Sequence, residues 1–376
     1  MDFQYYFKSR RGEMIHLLKD LVALESPSSD KKAVDACSTF ALKEFRKAGA
    51  KVTRFPQEEI GDLYLVEYPS RKKDQPEEQI LILTHIDTVW SVGRLKSMPF
   101  YVSGDKVFGP GVLDMKAGVV MALFSLKTLR ELNIKTNKKI ALFINSAEEI
   151  QSEASEKLIK KLARQSCCVL CLEPALPGGA LKLERKGRLV VRLESKGKAA
   201  HAGNPQEGIN AIDELLLQLR RLKRMTTQQI TMNIGLISGG EKANIVADSA
   251  WAVLDFRFWK NNQKARILSA LKQMKPSKAG ARIRFSLESL TPPMEKTRAS
   301  TNLLARARRI ASALNMELNA GKTGGGSDAS IASSLGIPTL DGLGPEGEGI
   351  HSEAEHFLLS SFVERTAFLT ELLRQL

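Results

Sequence analysis

Hydrophobic and polar positions along the chain follow two different periods, and the pattern changes character twice. Residues 14–24 and 31–48 repeat apolar side chains at helical spacing, with Gly49 closing the second segment. The apolar run Ile80-Leu81-Ile82-Leu83 makes residues 79–83 a strand. A helix over 117–132, a strand over 139–145, a helix over 152–163 and a strand over 167–172 come after it. Short apolar strands between amphipathic helices predict an α/β fold whose mostly parallel sheet is covered by helices.

Pro177-Gly178-Gly179 breaks this order. Residues 189–195 then alternate as a half-buried strand. A helix over 209–225 carries Leu215, Leu216, Leu219 and Leu222, and strands over 230–237 and 250–259 come next. A basic helix over 263–274 and a strand over 281–287 complete a βαββαβ unit, which predicts helices on one antiparallel sheet in a ferredoxin-like arrangement. Thr291-Pro292-Pro293 ends the unit, and helix–strand alternation resumes over 303–315, 329–336 and 360–373. A chain of 376 residues exceeds what one core usually carries. The expected organisation is a larger domain in two parts, 1–179 and 294–376, interrupted by an inserted domain at 180–293.

Composition narrows the class. Hydrophobic residues at 43% and charged residues at 26% suit a globular chain rather than a disordered one. No apolar stretch reaches the roughly 20 residues of a membrane span, and the first residues lack the basic start and apolar core of a secretory signal. The expectation is a cytoplasmic protein with no membrane partner. Cys168 and Cys171 form a CxxC, but they lie in a predicted buried strand, where residues three apart face opposite sides. The pair is therefore read as packing. The net charge of +14 favours anionic ligands. Its lysines and arginines are scattered, without any zinc-finger, basic-zipper or RNA-binding signature, so no specific nucleic-acid partner is expected.

The chain has only five histidines. Three of them stand in turns rich in Gly, Asp and Glu: Thr84-His85-Ile86-Asp87-Thr88, Ala200-His201-Ala202-Gly203 and Gly349-Ile350-His351-Ser352-Glu353. Each neighbouring acid has an ordinary structural role available. Asp114, in Gly109-Pro110-Gly111-Val112-Leu113-Asp114-Met115-Lys116, suits a helix N-cap. Glu148 and Glu149 suit a first helical turn. Taken together, three successive strands deliver His85 with Asp87, Glu148 with Glu149, and Glu173 to one carboxyl edge, where open α/β sheets bind ligands. Such nitrogen and oxygen donors suit zinc, and a two-ion site needs a bridging carboxylate, terminal ligands and a separate base.

These motifs, with Leu172-Glu173-Pro174 and Gly324-Gly325-Gly326-Ser327-Asp328-Ala329, occur in one order over nearly the whole chain. In that order they resemble the aminoacylase and glutamate carboxypeptidase group of di-zinc metallohydrolases, most of all its carboxypeptidase G type. The resemblance implies two zinc ions per subunit, with cobalt or manganese able to replace them in such a shell. His85 and Glu173 would hold one ion, Glu149 and His351 the other, and Asp114 would bridge them. Glu148 would be the general base and Asp87 would orient His85.

The same resemblance makes the insert a lid and the interface of a homodimer. His201 would enter the partner subunit's site as an oxyanion donor. Asn244, Arg257 and the loop at Gly326 would bind a substrate carboxylate. Arg257 also has a plain structural role, an ion pair with Asp255 on the same strand face. The family's paired glutamates often carry an Asp and a Gly nearby, and Asn145-Ser146-Ala147-Glu148-Glu149-Ile150 has neither, which bears on the geometry of that loop. The activity expected is hydrolysis of an amide beside a free carboxylate in a small peptide. A deacylase or desuccinylase of N-acyl amino acids is the alternative, and a non-catalytic basic binding protein the third reading.

Overall fold

The structure is a computed structural model and describes residues 2–68 and 78–376. The chain divides into two compact units: residues 1–183, 296–322 and 327–376 form the larger, and residues 184–295 with 323–326 form the smaller.

The larger unit is built on a six-stranded sheet in the order Lys51–Phe55, Leu63–Tyr68, Lys139–Asn145, Gln79–His85, Ser166–Cys171 and Thr339–Leu340. The last four run parallel, while the first two add an antiparallel edge, so the sheet is mixed but mostly parallel. That antiparallel edge is not among the strands that periodicity predicts: the first strand has no fully buried residue and no apolar run, whereas the second opens on the buried apolar run Leu63-Tyr64-Leu65-Val66. All seven residues of Gln79–His85 are buried, as a strand covered on both faces must be. Ile80, Ile82, Ile140, Leu142 and Ile144 join the main core with the helices Arg11–Ala23, Lys31–Lys47, Ala117–Glu131 and Leu359–Gln375. Leu81, Leu83 and Phe143, one residue out of phase, are equally buried on the opposite face. Burying each such side chain contributes about 1.5–3 kcal/mol.

Register in the parallel strands sets the geometry of their carboxyl edge. Leu83 pairs with Phe143 on one side and Cys171 on the other, and His85 pairs with Asn145. Two of these adjacent strands therefore end level, at His85 and Asn145, and the third ends at Cys171, two residues short of them and two residues before Glu173. A second, small sheet joins Gly347–Glu348, His356–Leu358, Lys106–Phe108 and Tyr101–Ser103. It ties the segment before Asp114 to the segment that carries His351.

The smaller unit is a four-stranded antiparallel sheet in the order Ile230–Gly239, Ser249–Phe258, Gly187–Lys196 and Arg282–Thr291. Its helices are Ala211–Lys223 and Asn261–Lys272. Strict alternation along Ser249–Phe258 buries Ala250, Ala252, Leu254, Phe256 and Phe258 with Leu215, Leu219 and Ile267 of the helices. The chain order is βαββαβ, as the periodicity predicts. Asn210 starts the first helix by accepting the Ile212 and Asp213 N–H groups.

All four cysteines are free. Cys168 and Cys171 are buried in their strand, in keeping with a packing role. Among the described residues no helix is long and apolar enough to cross a membrane.

Candidate metal centre

At the carboxyl edge of the parallel strands, the larger unit gathers two imidazoles around one carboxylate. His85 is the last residue of its strand. Its Nδ1 lies 3.0 Å from the backbone carbonyl of Asp87 and 3.5 Å from that residue's carboxylate. A proton on Nδ1 donated to the carbonyl leaves Nε2 as a lone-pair donor. Nε2 stands 3.1 Å from Asp114 Oδ1 and 3.7 Å from Glu173 Oε1. His351 Nε2 stands 3.4 Å from the other oxygen of Asp114, Oδ2, and 3.2 Å from Glu149 Oε1. Asp114 thus faces one imidazole with each oxygen, and each imidazole has a second acid beside it.

These spacings fit a pair of metal sites. Four donors arranged tetrahedrally at zinc-like bond lengths stand roughly 3.3–3.5 Å apart. The separations within each trio, 3.1 and 3.7 Å in one and 3.4 and 3.2 Å in the other, bracket that value. One ligand atom each from His85, Asp114 and Glu149 fall within 4.8 Å of one another. Nitrogen and carboxylate oxygen are also the donor types zinc accepts.

The ordinary roles open to these acids are not the ones they fill. Asp114 caps nothing: its backbone and that of Met115 are non-helical, and the helix begins at Ala117 with no side-chain cap. Glu148 and Glu149 sit in a turn ahead of the helix Glu153–Arg164, which Ser152 caps. Asp87, 1% exposed, organises that turn by accepting the Glu148 and Glu149 N–H groups at 3.2 Å each and the Ser28 hydroxyl at 2.7 Å. Asn145 accepts Ala147 N–H and the Ser155 hydroxyl and donates to Asp328. Fixing the turn in this way leaves the Glu148 carboxylate without a hydrogen bond among the described residues.

The field at this edge is strongly negative. Burial works against a charge on His85, yet Asp114 and Asp87 raise its pKa well above the ordinary histidine value. Hydrogen bonds to Asp114 and Glu149 carry His351 up to about 10. Asp114 is pressed far below the carboxylate range, because the two imidazoles outweigh its burial. Glu148 goes the other way. Burial raises it, His85 pulls it down, and Glu173, Asp328 and Glu149 push it further up. The Asp114 carboxyl is thus held in its charged form between the two imidazoles, while the neighbouring Glu148 carboxyl binds its proton more tightly than an ordinary glutamate.

Sequence reasoning passed over two residues here. Glu355 is 1% exposed and accepts the N–H groups of Gly111, Leu113 and Asp114 and the indole of Trp90. Burial raises its carboxyl to about 7 against those donors. Asp328 is buried against Asn145, with its carboxyl raised to about 6. The only signal for Glu355 was its place four residues after His351.

The profile of peptidase family M20/M25/M40 matches residues 81–375, most of the chain. This chain belongs to peptidase family M20/M25/M40. It is 28% identical to carboxypeptidase G2 of Pseudomonas sp. (strain RS-16) over 369 residues, covering 95% of this chain and 87% of that one. Aminopeptidase PepT from Bacillus cereus ATCC 10987 has the same fold, with a TM-score of 0.80 at 20% identity over 97% of this chain and 98% of that one. So does the Bacillus subtilis YXEP protein, a dinuclear metal-binding peptidase of family M20, with a TM-score of 0.74 at 16% identity over 98% of each chain.

The remaining residues that the M20 resemblance singles out lie in the smaller unit. His201 is exposed, and its Nδ1 accepts the Gly203 N–H at 3.0 Å. Its backbone bridges Ile245, and Ala202 N–H donates to the Asn244 carbonyl, so the His201 and Asn244 loops are joined. Arg257 donates from Nε and Nη2 to Asp255, which also accepts from Arg188. The ion pair on the sheet is therefore present. The carbonyls of Gly325 and Gly326 accept from Arg185, which anchors the glycine loop from beneath.

Proposed function

We propose that this M20 chain is a dinuclear zinc hydrolase cutting an amide beside a free carboxylate, in the manner of a glutamate carboxypeptidase. The observation that carries the reading is Asp114, whose two oxygens face His85 and His351 on opposite sides. His85 and Glu173 would hold one ion and His351 and Glu149 the other, with cobalt or manganese able to serve in place of zinc. When bound, such a pair of ions acidifies water and polarises the scissile carbonyl. Glu148 takes the proton of the attacking water on its carboxylate and returns it to the leaving nitrogen, a role that suits a raised pKa and an unengaged side chain. Asp87 holds Glu148, Glu149 and His85 in register.

Arg257 is proposed to bind the substrate carboxylate, with Asp255 fixing the plane of its guanidinium. Asn244 and the loop at Gly326 would complete that contact, and His201 would donate to the oxyanion within a homodimer. The similarity to carboxypeptidase G2 over 95% of the chain supports this substrate class. A cytoplasmic location belongs to the same proposal.

The test is Glu148→Gln with zinc supplied, assayed on C-terminal glutamyl dipeptides and N-acyl amino acids. The variant should keep two ions per chain while kcat falls about 10²–10⁴-fold. Full activity in the variant refutes the role of Glu148. Wild-type turnover confined to N-acyl amino acids moves the substrate assignment to a deacylase.

A further inference from the structure

Resting on the dinuclear reading of the site, we propose that Glu355 is a positioning residue that locks the bridging Asp114 to the segment carrying His351. Its carboxylate spreads over the loop from Gly111 to Asp114. Oε1 accepts Leu113 N–H at 2.9 Å and Asp114 N–H at 3.2 Å, and Oε2 accepts Gly111 N–H at 3.0 Å and Trp90 Nε1–H at 2.9 Å. The backbone of Glu355 works on the same two segments. Its carbonyl accepts Gly109 N–H at 3.4 Å, and its own N–H donates to Ser352 at 3.0 Å, within the turn that holds His351. The next residue, His356, pairs with Phe108 in the small sheet.

A purely structural acid has no need of this arrangement. The loop it holds is not regular structure: Gly111 has φ +69°, and a Cβ there would come within 2.5 Å of Thr88 Cγ2. Asp114 and Met115 are outside helical conformation. Three loop N–H groups without an acceptor would leave Asp114 free to rotate, and with it both oxygens that face the imidazoles. His351 itself sits at φ +60°, in the left-handed region that few non-glycine residues occupy. Glu355 touches none of the atoms proposed to bind metal. It acts through the backbone of Asp114 and through the turn of His351, so it couples a ligand of one ion to the carboxylate that both ions share.

Removing such an outer hydrogen bond commonly costs 10–100-fold in metal affinity. Glu355→Gln keeps the volume but turns an amide N–H₂ toward two of the four donors. With the full-length chain stripped of metal and titrated with zinc against a chromogenic chelator, E355Q should bind about 10–100-fold more weakly than wild type. Its kcat should return toward the wild-type value when zinc is raised to saturation, which a residue that merely supports folding would not show. Glu355→Asp keeps the charge and shortens the reach. It should fall between the two, and it decides the matter if E355Q does not fold. E355Q or, in its place, E355D binding two ions as tightly as wild type overturns the proposal alone. Wild type taking up fewer than two ions overturns the dinuclear reading and the proposal with it.

Discussion

Asp87→Asn separates an organising role for Asp87 from mere proximity to His85. In the wild-type protein Oδ1 accepts the Glu148 N–H, and Oδ2 accepts the Glu149 N–H and the Ser28 hydroxyl. Asparagine can keep the first bond. Its amide then faces the Glu149 N–H, donor against donor, while the Ser28 hydroxyl can turn and accept. The net loss is one charge-assisted hydrogen bond, about 1.5–3 kcal/mol, and one poorly satisfied N–H, about 1–3 kcal/mol. The resulting destabilisation is roughly 2.5–6 kcal/mol, a large share of the 5–15 kcal/mol of a typical domain. Urea unfolding of the metal-stripped protein, read by circular dichroism, should show a lower midpoint at unchanged slope. The displaced turn should also lower kcat about 10²-fold at saturating zinc, the cost of a misplacement of about 1 Å. Ser28→Ala serves as control and should cost only about 1 kcal/mol. Stability within about 0.5 kcal/mol of wild type, together with undiminished kcat in Asp87→Asn, would refute the reasoning.

Two further outcomes are expected. Asp114→Asn cannot present an oxygen to both imidazoles, so metal content measured by mass spectrometry after dialysis should fall from two ions per chain to one or none; two retained ions would exclude the bridge. Asp62 is 1% exposed, and although burial works against its charge, Lys31, the Gln57 N–H and Arg54 hold its pKa below the ordinary value. Its contribution is then present above the unfolded aspartate pKa of about 3.9 and is lost as pH falls through that value toward the lower folded one. Asp62→Asn should be less stable than wild type at neutral pH and lose less stability on acidification; parallel pH–stability curves would contradict this.

Much of the site is legible in the sequence because its residues sit at places that local pattern defines. Each parallel strand is a short apolar run, so its end is visible, and an acid or histidine just past that end is placed by the strand itself. The edge strand Lys51–Phe55 is not legible in that way, since none of its residues is fully buried and it has no unbroken apolar signature. Glu355 is invisible for another reason. It meets Asp114 across 241 residues, and no periodicity records such a contact.

By itself the sequence determined the alternation of strand and helix, the βαββαβ insert and the inventory of donors, because periodicity and turn chemistry act over a few residues. The tertiary structure alone decided that three strand ends come side by side, that Asp114 turns one oxygen to each imidazole, and that Asp87 and Glu355 accept the N–H groups of the loops that carry these acids. Register and long-range hydrogen bonds arise only when distant segments are packed together, and the chemistry of this edge depends on that packing.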